Sequence, residues 1–357
     1  MSSYIKGEEL KFLSAKSRVI SSAIPVGLVT RAFEQDSKNV MHRQKSPIES
    51  AVCTGGRIPG LPGTAAYRVW SASASCLPVM LAVPHAGRSY PRRLLDDMRN
   101  AESSCLKLED RYVDRLARAV AQQTGAALLI AQAPRAMIDL NRAPDDVDWE
   151  MFTKTDRSET VTPGAGRRAR TGLGLIPRRL PGLGELWRRP LDGKDLTERV
   201  TQIHEPYHTC LGEMMRAHAE RWGAALLLDL HSMPSLPARG GHPGAQFVVG
   251  DRFGASSAGS LVASAFAHFA RTGRGAAHNR PYAGGYVLER HAKPSAGLHA
   301  MQIEIDRATY LDAALVETGD GFIDVVDVLC GLVRTLSQAV AELAEAGSSG
   351  VWPLAAE

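Results

Sequence analysis

The chain of 357 residues contains no apolar run close to the ~20 residues that a membrane-spanning helix needs. The apolar stretch Ala224–Leu230 is interrupted by Asp229 and followed by His231. Aromatic residues make up only 6%, and the 42 Lys+Arg exceed the 38 Asp+Glu by 42 − 38 = 4. The chain therefore lacks the basic stripe with stacking aromatics that is typical of nucleic-acid binders. We expect neither a membrane nor a nucleic acid as partner.

Cysteine is also scarce, and its spacing excludes two classes of protein. The five cysteines are scattered, odd in number and never arranged as C-x-x-C. This pattern argues against a disulfide framework and against a zinc knuckle. The chain also starts without the basic, apolar and small-residue segments of a signal peptide. We therefore expect reduced thiols in a cytoplasmic protein, at Cys53, Cys76, Cys105, Cys210 and Cys330.

The composition changes along the chain and suggests three parts. Residues 1–66 mix Ser, Lys, Arg and Gln with weak periodicity, and Gly55–Gly63 is rich in Gly and Pro. We interpret residues 1–66 as a poorly ordered extension, or as the product of a start codon placed too early. Residues 67–346 are predicted to form one domain, and residues 347–357 a short tail.

Within the predicted domain, short apolar runs alternate with helical periodicity. This pattern predicts an α/β fold with three αβα layers, in which the chemistry lies beyond the carboxyl ends of the strands. The segment Thr155–Lys194, rich in Gly, Pro and Arg, is predicted to be a long loop near the site. The predicted strands are Leu77–Val83, Ala126–Ile130, Ala224–Leu230, Gln246–Gly250 and His299–Ile305. The predicted helices are Leu108–Thr124, Leu196–Trp222, Ala255–Arg271 and Gly321–Ala346.

Two histidines stand at predicted strand ends and are candidate metal ligands. His85 follows the first apolar run and His231 follows the third, where Asp229 is placed to orient its ring. A catalytic Zn²⁺ site needs a third protein ligand. Asp110 is our choice, with Glu109 and Asp114 as alternatives. Asp110 is also compatible with a purely structural role as a helix N-cap. Each histidine is also compatible with a purely structural role in the core.

Charged groups near other strand ends complete the candidate site. Glu304 lies inside an apolar strand, where an unpaired carboxylate is costly. It therefore needs a metal, a proton-transfer role or an ion pair, for which Arg307 and Arg142 are available. Arg135 and the pair Asn141-Arg142 follow another predicted strand and suit a substrate carboxylate, although either arginine is also compatible with an ordinary surface position.

One motif points to a different chemistry, and we discount it. His204-Glu205-Pro206-Tyr207-His208 matches the H-E-x-x-H pattern of zincin proteases. That chemistry requires an unbroken helix carrying both histidines on one face, and Pro206 opposes such a helix. His208 is retained as a candidate polar contact of the site.

Taken together, the segments that carry these residues resemble the N-formylglutamate amidohydrolase family. The resemblance runs in order from about Val79 to Leu311 and is more specific than any single motif. It implies a mixed sheet between helices, similar to zinc carboxypeptidases and to aspartoacylases. It also implies hydrolysis of N-formyl-L-glutamate to formate and glutamate, at the end of one histidine-degradation route. The matching segments are Val83–Pro91, Leu108–Leu116, Arg135–Pro144, Arg170–Pro177, His204–His208, Leu227–Ser235, Asn279–Tyr286 and His299–Leu311.

The resemblance also implies roles for individual residues. Glu304 would be the general base. In the mechanism that we expect from these residues, zinc and an arginine, Arg135 by preference, would stabilise the oxyanion. In carboxypeptidases the carboxylate ligand stands three residues after the first histidine, and Arg88 occupies that position here. The third ligand is therefore still open. The metal ligands for one Zn²⁺ would be His85, Asp110 and His231. The substrate-binding residues would be Asn141, Arg142, Arg170, His208 and Tyr282, with Tyr282–Tyr286 as a flexible rim.

Two other functions remain open from the sequence. One is a related zinc amidohydrolase acting on another N-acyl amino acid or a small peptide. The other is a non-catalytic binding protein on the same scaffold, which the retained histidines and Glu304 argue against. The expected partner is a small N-acyl amino acid, and the sequence predicts no oligomeric state.

Overall fold

The computed structural model describes residues 52–70, 76–153, 167–238, 241 and 243–348, which all fall in one compact unit. Among these residues, no helix combines the length and the apolar character needed to cross a membrane. The strands of the main sheet are β1 (Val52–Gly55), β2 (Tyr67–Trp70), β3 (Val79–Val83), β4 (Ala127–Ala131), β7 (Ala225–Met233), β8 (Phe247–Gly250), β9 (Ala276–His278) and β10 (Leu298–Asp306). A separate hairpin pairs β5 (Arg179–Leu180) with β6 (Gly184–Glu185).

Helices surround the sheet, and a π-helical turn at Val200–His204 joins two of them. Among the described residues, the helices that precede β5 are α1 (Arg92–Asp97), α2 (Ala101–Leu108), α3 (Val113–Thr124) and α4 (Arg167–Arg170). The others are α5 (Gly193–Arg199), α6 (Glu205–Trp222), α7 (Gly259–Arg271), α8 (Tyr286–His291) and α9 (Phe322–Ser348).

The main sheet has eight strands in the order β1-β2-β4-β3-β7-β10-β8-β9. The four central strands β4, β3, β7 and β10 are parallel, whereas β2 and β8 run antiparallel to their inner neighbours. The predicted mixed sheet is confirmed, and each of the five predicted strands is present. Sequence periodicity missed β1, β2 and β9, which have three or four residues each.

Side chains alternate between the two faces of the sheet along the central strands. One face is apolar, and the other is apolar at first and polar toward the carboxyl ends of the strands. On β7, Leu226, Leu228 and Leu230 belong to the core on one side, which α3, α7 and α9 cover. Leu227 belongs to the core on the other side, against α1, α2, α6 and α8. Because side chains alternate across a strand, Asp229 and His231 share the face of Leu227. The predicted αβα layering is confirmed, and its polar groups collect on one face.

Part of the predicted extension, residues 52–66, belongs to the folded domain. Residues 1–51 lie outside the described residues, but β1 pairs antiparallel with β2 and adds an edge to the sheet. The Gly/Pro-rich loop after β1 is also fixed, because Ile58 is buried and the Arg57 amide donates to Gln202 O at 2.9 Å. Gly and Pro here shape a packed turn and do not mark a linker. The predicted tail begins within α9, and residues 349–357 lie outside the described residues.

The helix predicted over Leu108–Thr124 is interrupted. Helix α2 ends at Leu108 and α3 begins at Val113. Between them Tyr112 adopts a left-handed conformation with φ 58°, which no α-helix can contain. This interruption places Asp110 in a turn, where its side chain points away from the helix axis and into the site described next.

Candidate active site at the carboxyl ends of the parallel strands

Three buried side chains converge beyond the carboxyl ends of β3 and β7. Asp110 Oδ2 lies 3.0 Å from His231 Nδ1 and 3.4 Å from His85 Nδ1. One ligand atom of each residue lies within 4.8 Å of those of the other two, and each residue is 2% exposed. The structure thus brings together the three residues that the sequence suggested as metal ligands.

Local backbone geometry explains this convergence. His85 stands two residues after the end of β3, and its carbonyl accepts the Asp110 amide at 3.0 Å. His231 belongs to β7 itself, next to β3 in the sheet. The turn between α2 and α3 is therefore held directly beside the two strand ends.

Two further carboxylates hold the outer nitrogens of the histidines. His85 Nε2 lies 2.6 Å from Asp139 Oδ1, and His231 Nε2 lies 2.8 Å from Asp229 Oδ2. These contacts leave both Nδ1 atoms on the side of Asp110. His85 Nδ1 is buried without a hydrogen-bond partner. An orphaned imidazole nitrogen, a second imidazole and a carboxylate, each oriented by outer groups, fit the donor set of a divalent cation such as Zn²⁺.

The electrostatics of this cluster favour positive charge. Burial disfavours ionisation of Asp110, yet the hydrogen bond with His231 and the His85 imidazole 3.4 Å away hold the pKa of Asp110 well below its ordinary value. Burial likewise opposes a charged His231, but Asp229 and Asp110 raise the pKa of His231 well above its ordinary value. The carboxylates therefore create a negative potential that a proton or a metal ion can satisfy.

The two alternative carboxylate ligands are engaged elsewhere. Glu109 accepts hydrogen bonds from Tyr90 Oη at 2.9 Å and from Arg111 Nη1 at 3.0 Å. Asp114 forms an ion pair with Arg88 at 2.8 Å. Arg88 thus binds an acid outside the cluster, whereas Asp110 lies within it.

Glu304 lies on β10 beside this cluster. It is the register partner of His231 on the adjacent parallel strand, so the two side chains share a face. Gln302 Nε2 donates to Glu304 Oε1 at 2.8 Å, while no hydrogen bond from a described residue reaches Oε2. Burial raises the pKa of Glu304 to about 7, and the His231 charge opposes this rise. Neither Arg307 nor Arg142 forms the ion pair that we considered, since Arg307 contacts Asp110 at 3.5 Å.

These groups open into one cavity of about 350 Å³. Its walls are rich in cationic side chains, which lie around the His85, Asp110 and His231 cluster. A ligand with several negative charges therefore fits this cavity best. The cationic wall residues are Lys107, Arg135, Arg142, Arg168 and Arg307.

Four predicted residues line the cavity besides the cluster and Glu304. Arg135 contacts Asp139 Oδ2 through both Nε and Nη2 at 2.9 Å. Arg142 donates from Nε to Leu173 O at 2.9 Å. The remaining two are Asn141 and Tyr282.

The other two predicted substrate contacts lie outside the cavity wall. Arg170 is exposed, and Arg168, two residues earlier, lines the cavity instead. Two residues of helix α4 turn the side chains by roughly 200°, so they point to different sides, which the sequence alone does not resolve. His208 is 1% exposed and lies behind the cavity, where its Nε2 donates to Leu140 O at 2.9 Å.

The H-E-x-x-H segment forms a continuous helical stretch, contrary to our expectation. Pro206 stands in the first turn of α6, where its missing amide is tolerated, and the π-helical turn precedes it. The rings of His204 and His208 lie on one face with centroids 4.4 Å apart. Both rings bond to backbone carbonyls, so the zincin interpretation is still disfavoured, but for this reason and not because of Pro206.

Sequence reasoning missed several residues of the site. Asp139 lies within a segment that we quoted, four residues before Ala143, and its hydrophobic neighbours concealed it. Gln302 could have been found, because it alternates with Glu304 and must share its face. Lys107, Arg168 and Arg307 carried no periodic signal, since they reach the cavity from three different loops or helix ends.

Known proteins are similar to the segment of the chain that carries these residues. The family model described as N-formylglutamate amidohydrolase matches residues 77–311. An N-formylglutamate deformylase of Pseudomonas putida is 28% identical over 244 residues, which cover 66% of this chain and 82% of that protein. A second N-formylglutamate deformylase, from Pseudomonas aeruginosa, is 28% identical over 242 residues, covering 66% and 83%.

Solved structures give the same result. The crystal structure of N-formylglutamate amidohydrolase from Ralstonia eutropha JMP134 superposes with a TM-score of 0.67 and 30% identity, covering 81% of this chain and 100% of that chain. A gene product of Agrobacterium tumefaciens has a TM-score of 0.56 at 18% identity, covering 77% and 96%, and supports the fold alone.

Proposed function

Because the chain belongs to the N-formylglutamate amidohydrolase family, we propose that it hydrolyses N-formyl-L-glutamate to formate and L-glutamate. Its relatives are deformylases, so the chain is a hydrolase of linear C–N amide bonds. One observation carries the substrate proposal: a buried acid and a metal-compatible cluster open into a cavity whose wall holds five cationic side chains. An N-formylated dicarboxylate supplies an amide for the acid and the metal-compatible cluster, and negative charges for the cationic side chains.

The residues that would hold the metal are His85, Asp110 and His231, and Zn²⁺ is the proposed ion. Zinc supplies Lewis acidity, which makes water a better nucleophile near neutral pH and polarises an amide carbonyl. Asp139 and Asp229 keep the two imidazoles oriented by accepting from their outer nitrogens.

Glu304 is the proposed general base. Gln302 occupies Oε1, so Oε2 is the atom that takes a proton from the attacking water and returns it to the leaving nitrogen. Burial raises the pKa of Glu304 to about 7, which suits a group that must both accept and release a proton.

The arginines have distinct proposed tasks. Arg135 stabilises the oxyanion from the cavity wall, with its guanidinium fixed by Asp139. Asn141 and Arg142 bind a substrate carboxylate, and Arg168 takes the role that we first gave to Arg170. Tyr282, on the Gly-rich rim, closes the site from the other side.

The proposal includes a cellular setting. Cys105 and Cys330 are buried and form no disulfide, which is compatible with a reducing compartment such as the cytoplasm. The reaction would then serve as the last step of one histidine-degradation route, as the family resemblance implies.

The direct experiment is formate release from N-formyl-L-glutamate by the purified protein, with and without a chelator. Formyl-aspartate, acetyl-glutamate and succinyl-glutamate complete the panel, since a preference for one of them would replace the proposed substrate within the same reaction class. Absence of turnover on the whole panel, with metal bound, would support a binding protein instead.

Glu304→Gln tests the base. We expect it to retain metal while kcat falls by roughly 10²–10⁴-fold, the range that a general base contributes. Glu289→Gln is the matched control, because Glu289 is exposed and pairs with Arg252 at 3.3 Å outside the cavity. An unchanged rate in Glu304→Gln would remove this residue as the base.

A further inference from the structure

The histidines of the H-E-x-x-H segment contact the turn that carries the substrate-binding pair. His208 Nε2 lies 2.9 Å from Leu140 O, and His204 Nε2 lies 2.9 Å from Arg142 O. Between them, Asn141 O accepts from the Tyr286 amide at 3.4 Å. Three consecutive carbonyls of one turn are therefore held from outside, two of them by imidazoles of helix α6 and the turn before it.

Both imidazoles are buried donors with a defined tautomer. His204 is 0% exposed and His208 is 1% exposed, and burial lowers the pKa of both. A neutral imidazole has one N–H, and a carbonyl can only accept, so the proton lies on Nε2 in each ring. His208 Nδ1 is then an acceptor, and His291 Nε2 donates to it at 2.9 Å. His204 Nδ1 has no partner among the described residues.

The side chains of the turn point the opposite way, toward the cavity. Asn141 Nδ2 donates to Gln302 Oε1 at 3.1 Å, next to the general base. Arg142 Nη1 donates to Asn141 O at 2.8 Å, and Arg142 Nε donates to Leu173 O. Of the three guanidinium nitrogens, Nη2 alone has no hydrogen bond to a described residue.

The turn has little freedom to adjust if one of its supports is lost. A Cβ atom added at Gly285 would lie 2.5 Å from Asn141 Oδ1, so the rim packs directly on this side chain. The Val287 amide also donates to Asn141 Oδ1 at 2.9 Å. A shift of the backbone at Leu140 or Arg142 must therefore displace Asn141 and the Arg142 guanidinium together.

We propose that His204 and His208 are positioning residues of the active site, which fix the Asn141-Arg142 turn from behind by donating to its carbonyls. The H-E-x-x-H segment thus serves substrate binding and holds no metal. The kinetic part of this inference rests on the proposed function, because it takes Arg142 as a ligand of a substrate carboxylate.

The test compares His204→Leu and His208→Leu with His204→Gln and His208→Gln. Leucine removes the donor and leaves a carbonyl unpaired, whereas the glutamine amide nitrogen can occupy the position of Nε2. His218→Leu is the matched control, because His218 is also buried on α6 but bonds to Met214 O of its own helix at 2.7 Å.

The first readout is hydrogen exchange at the Asn141 and Arg142 amides, which needs no substrate. These amides donate to Asp139 Oδ1 at 2.8 Å and to Asp139 O at 3.1 Å, so their exchange reports how firmly the turn is held. We expect exchange roughly tenfold faster in both leucine variants, wild-type exchange in His218→Leu, and recovery in the glutamine variants.

The second readout is steady-state kinetics on N-formyl-L-glutamate with the metal content measured beside it. We expect KM to rise roughly tenfold in the leucine variants, with kcat changed far less and metal content equal to wild type. Equal exchange and equal KM in His204→Leu, His208→Leu and His218→Leu would overturn the proposal, as would loss of metal. If the leucine variants do not fold, the glutamine variants decide. Wild-type hydrogen exchange and wild-type KM in the glutamine variants support the proposal. A glutamine variant that lacks wild-type exchange or wild-type KM overturns the proposal. If the wild type releases no formate, the proposed function fails, while the exchange readout still decides the positioning role.

Discussion

Two groups of histidines lie on the same face of one sheet and behave in opposite ways. We call His85 and His231 the metal-side pair, and His204, His208 and His291 the buried triad. The outer nitrogens of the metal-side pair meet the carboxylates Asp139 and Asp229. In the buried triad, His204 and His208 donate to backbone carbonyls, and His291 donates to His208.

The partners, and not the degree of burial, decide what each group does. Burial alone lowers the pKa of an imidazole, and it dominates in the triad, where the pKa of His291 falls to about 3. In the metal-side pair, Asp229 and Asp110 overcome the same burial and raise the pKa of His231. Carboxylates thus prepare an imidazole to face a cation, while carbonyls turn it into a fixed hydrogen-bond donor.

The largest effect is expected from removing the carboxylate that faces the metal-side pair. Asp110→Asn should abolish metal retention and turnover, because it removes the charge that both Nδ1 atoms face. Glu109→Gln changes the adjacent residue, whose side chain binds Tyr90 and Arg111, and should keep both. Metal content after dialysis and formate release measure the difference. Retention of metal in Asp110→Asn and its loss in Glu109→Gln would move the third ligand to Glu109.

A smaller effect on metal binding is expected from changing Asp229, the carboxylate that contacts the outer nitrogen of His231. Asp229→Asn keeps the shape but weakens the orientation and charge behind His231, and should lower metal affinity by roughly 10–100-fold. Asp251→Asn is the control, since Asp251 is equally buried at the end of β8 but bonds Asn279 at 2.6 Å. Competition with a chromophoric chelator gives both affinities. Equal affinities in the two variants would mean that the carboxylate contact does not distinguish the metal-side pair.

The smallest effect concerns acid stability and the buried triad. His291 has a pKa of about 3 in the folded chain and about 6.5 when unfolded, so between these values the unfolded state binds one more proton. Stability therefore falls as the pH drops from about 6.5 to 3. The groups facing His291 are His208, His204 and Arg290, and both Arg290 and His204 lower its pKa further.

His291→Gln removes this proton uptake while keeping a donor for His208. The slope of the unfolding free energy against pH near pH 5 should decrease by about 1.4 kcal/mol per pH unit. Urea titrations at several pH values compare the variant with wild type, so that other acid effects cancel. Identical slopes would show that His291 is protonated in the folded protein.

A good part of the site could be predicted from the chain. His85 and His231 follow apolar runs, and Glu304 lies inside an apolar run. Polar residues at these positions of buried strands are candidates for a site, so all three could be predicted. Their convergence follows from parallel pairing of β3, β7 and β10, which brings carboxyl ends to one edge. Gln302 could have been predicted in the same way, because it stands two residues before Glu304 on the same strand.

Loop residues could not be assigned in the same way. Asp110, Glu109 and Asp114 are close in sequence and chemically similar, and only the interruption between α2 and α3 places Asp110 beside the two histidines. Arg168 and Arg170 stand two residues apart, on different sides of a short helix, and only Arg168 lines the cavity. Each choice depends on a contact with a distant residue, which no local pattern encodes.

The amino-acid order alone determined the layered α/β architecture, the strand-end histidines and the buried acid, because a side-chain period of two commits each strand residue to a face. The tertiary structure decided which carboxylate lies beside the two strand-end histidines and whether a histidine meets a carboxylate or a carbonyl. Those outcomes depend on segments more than a hundred residues apart, such as Asp110 and His231, which acquire a shared environment only when the sheet has formed.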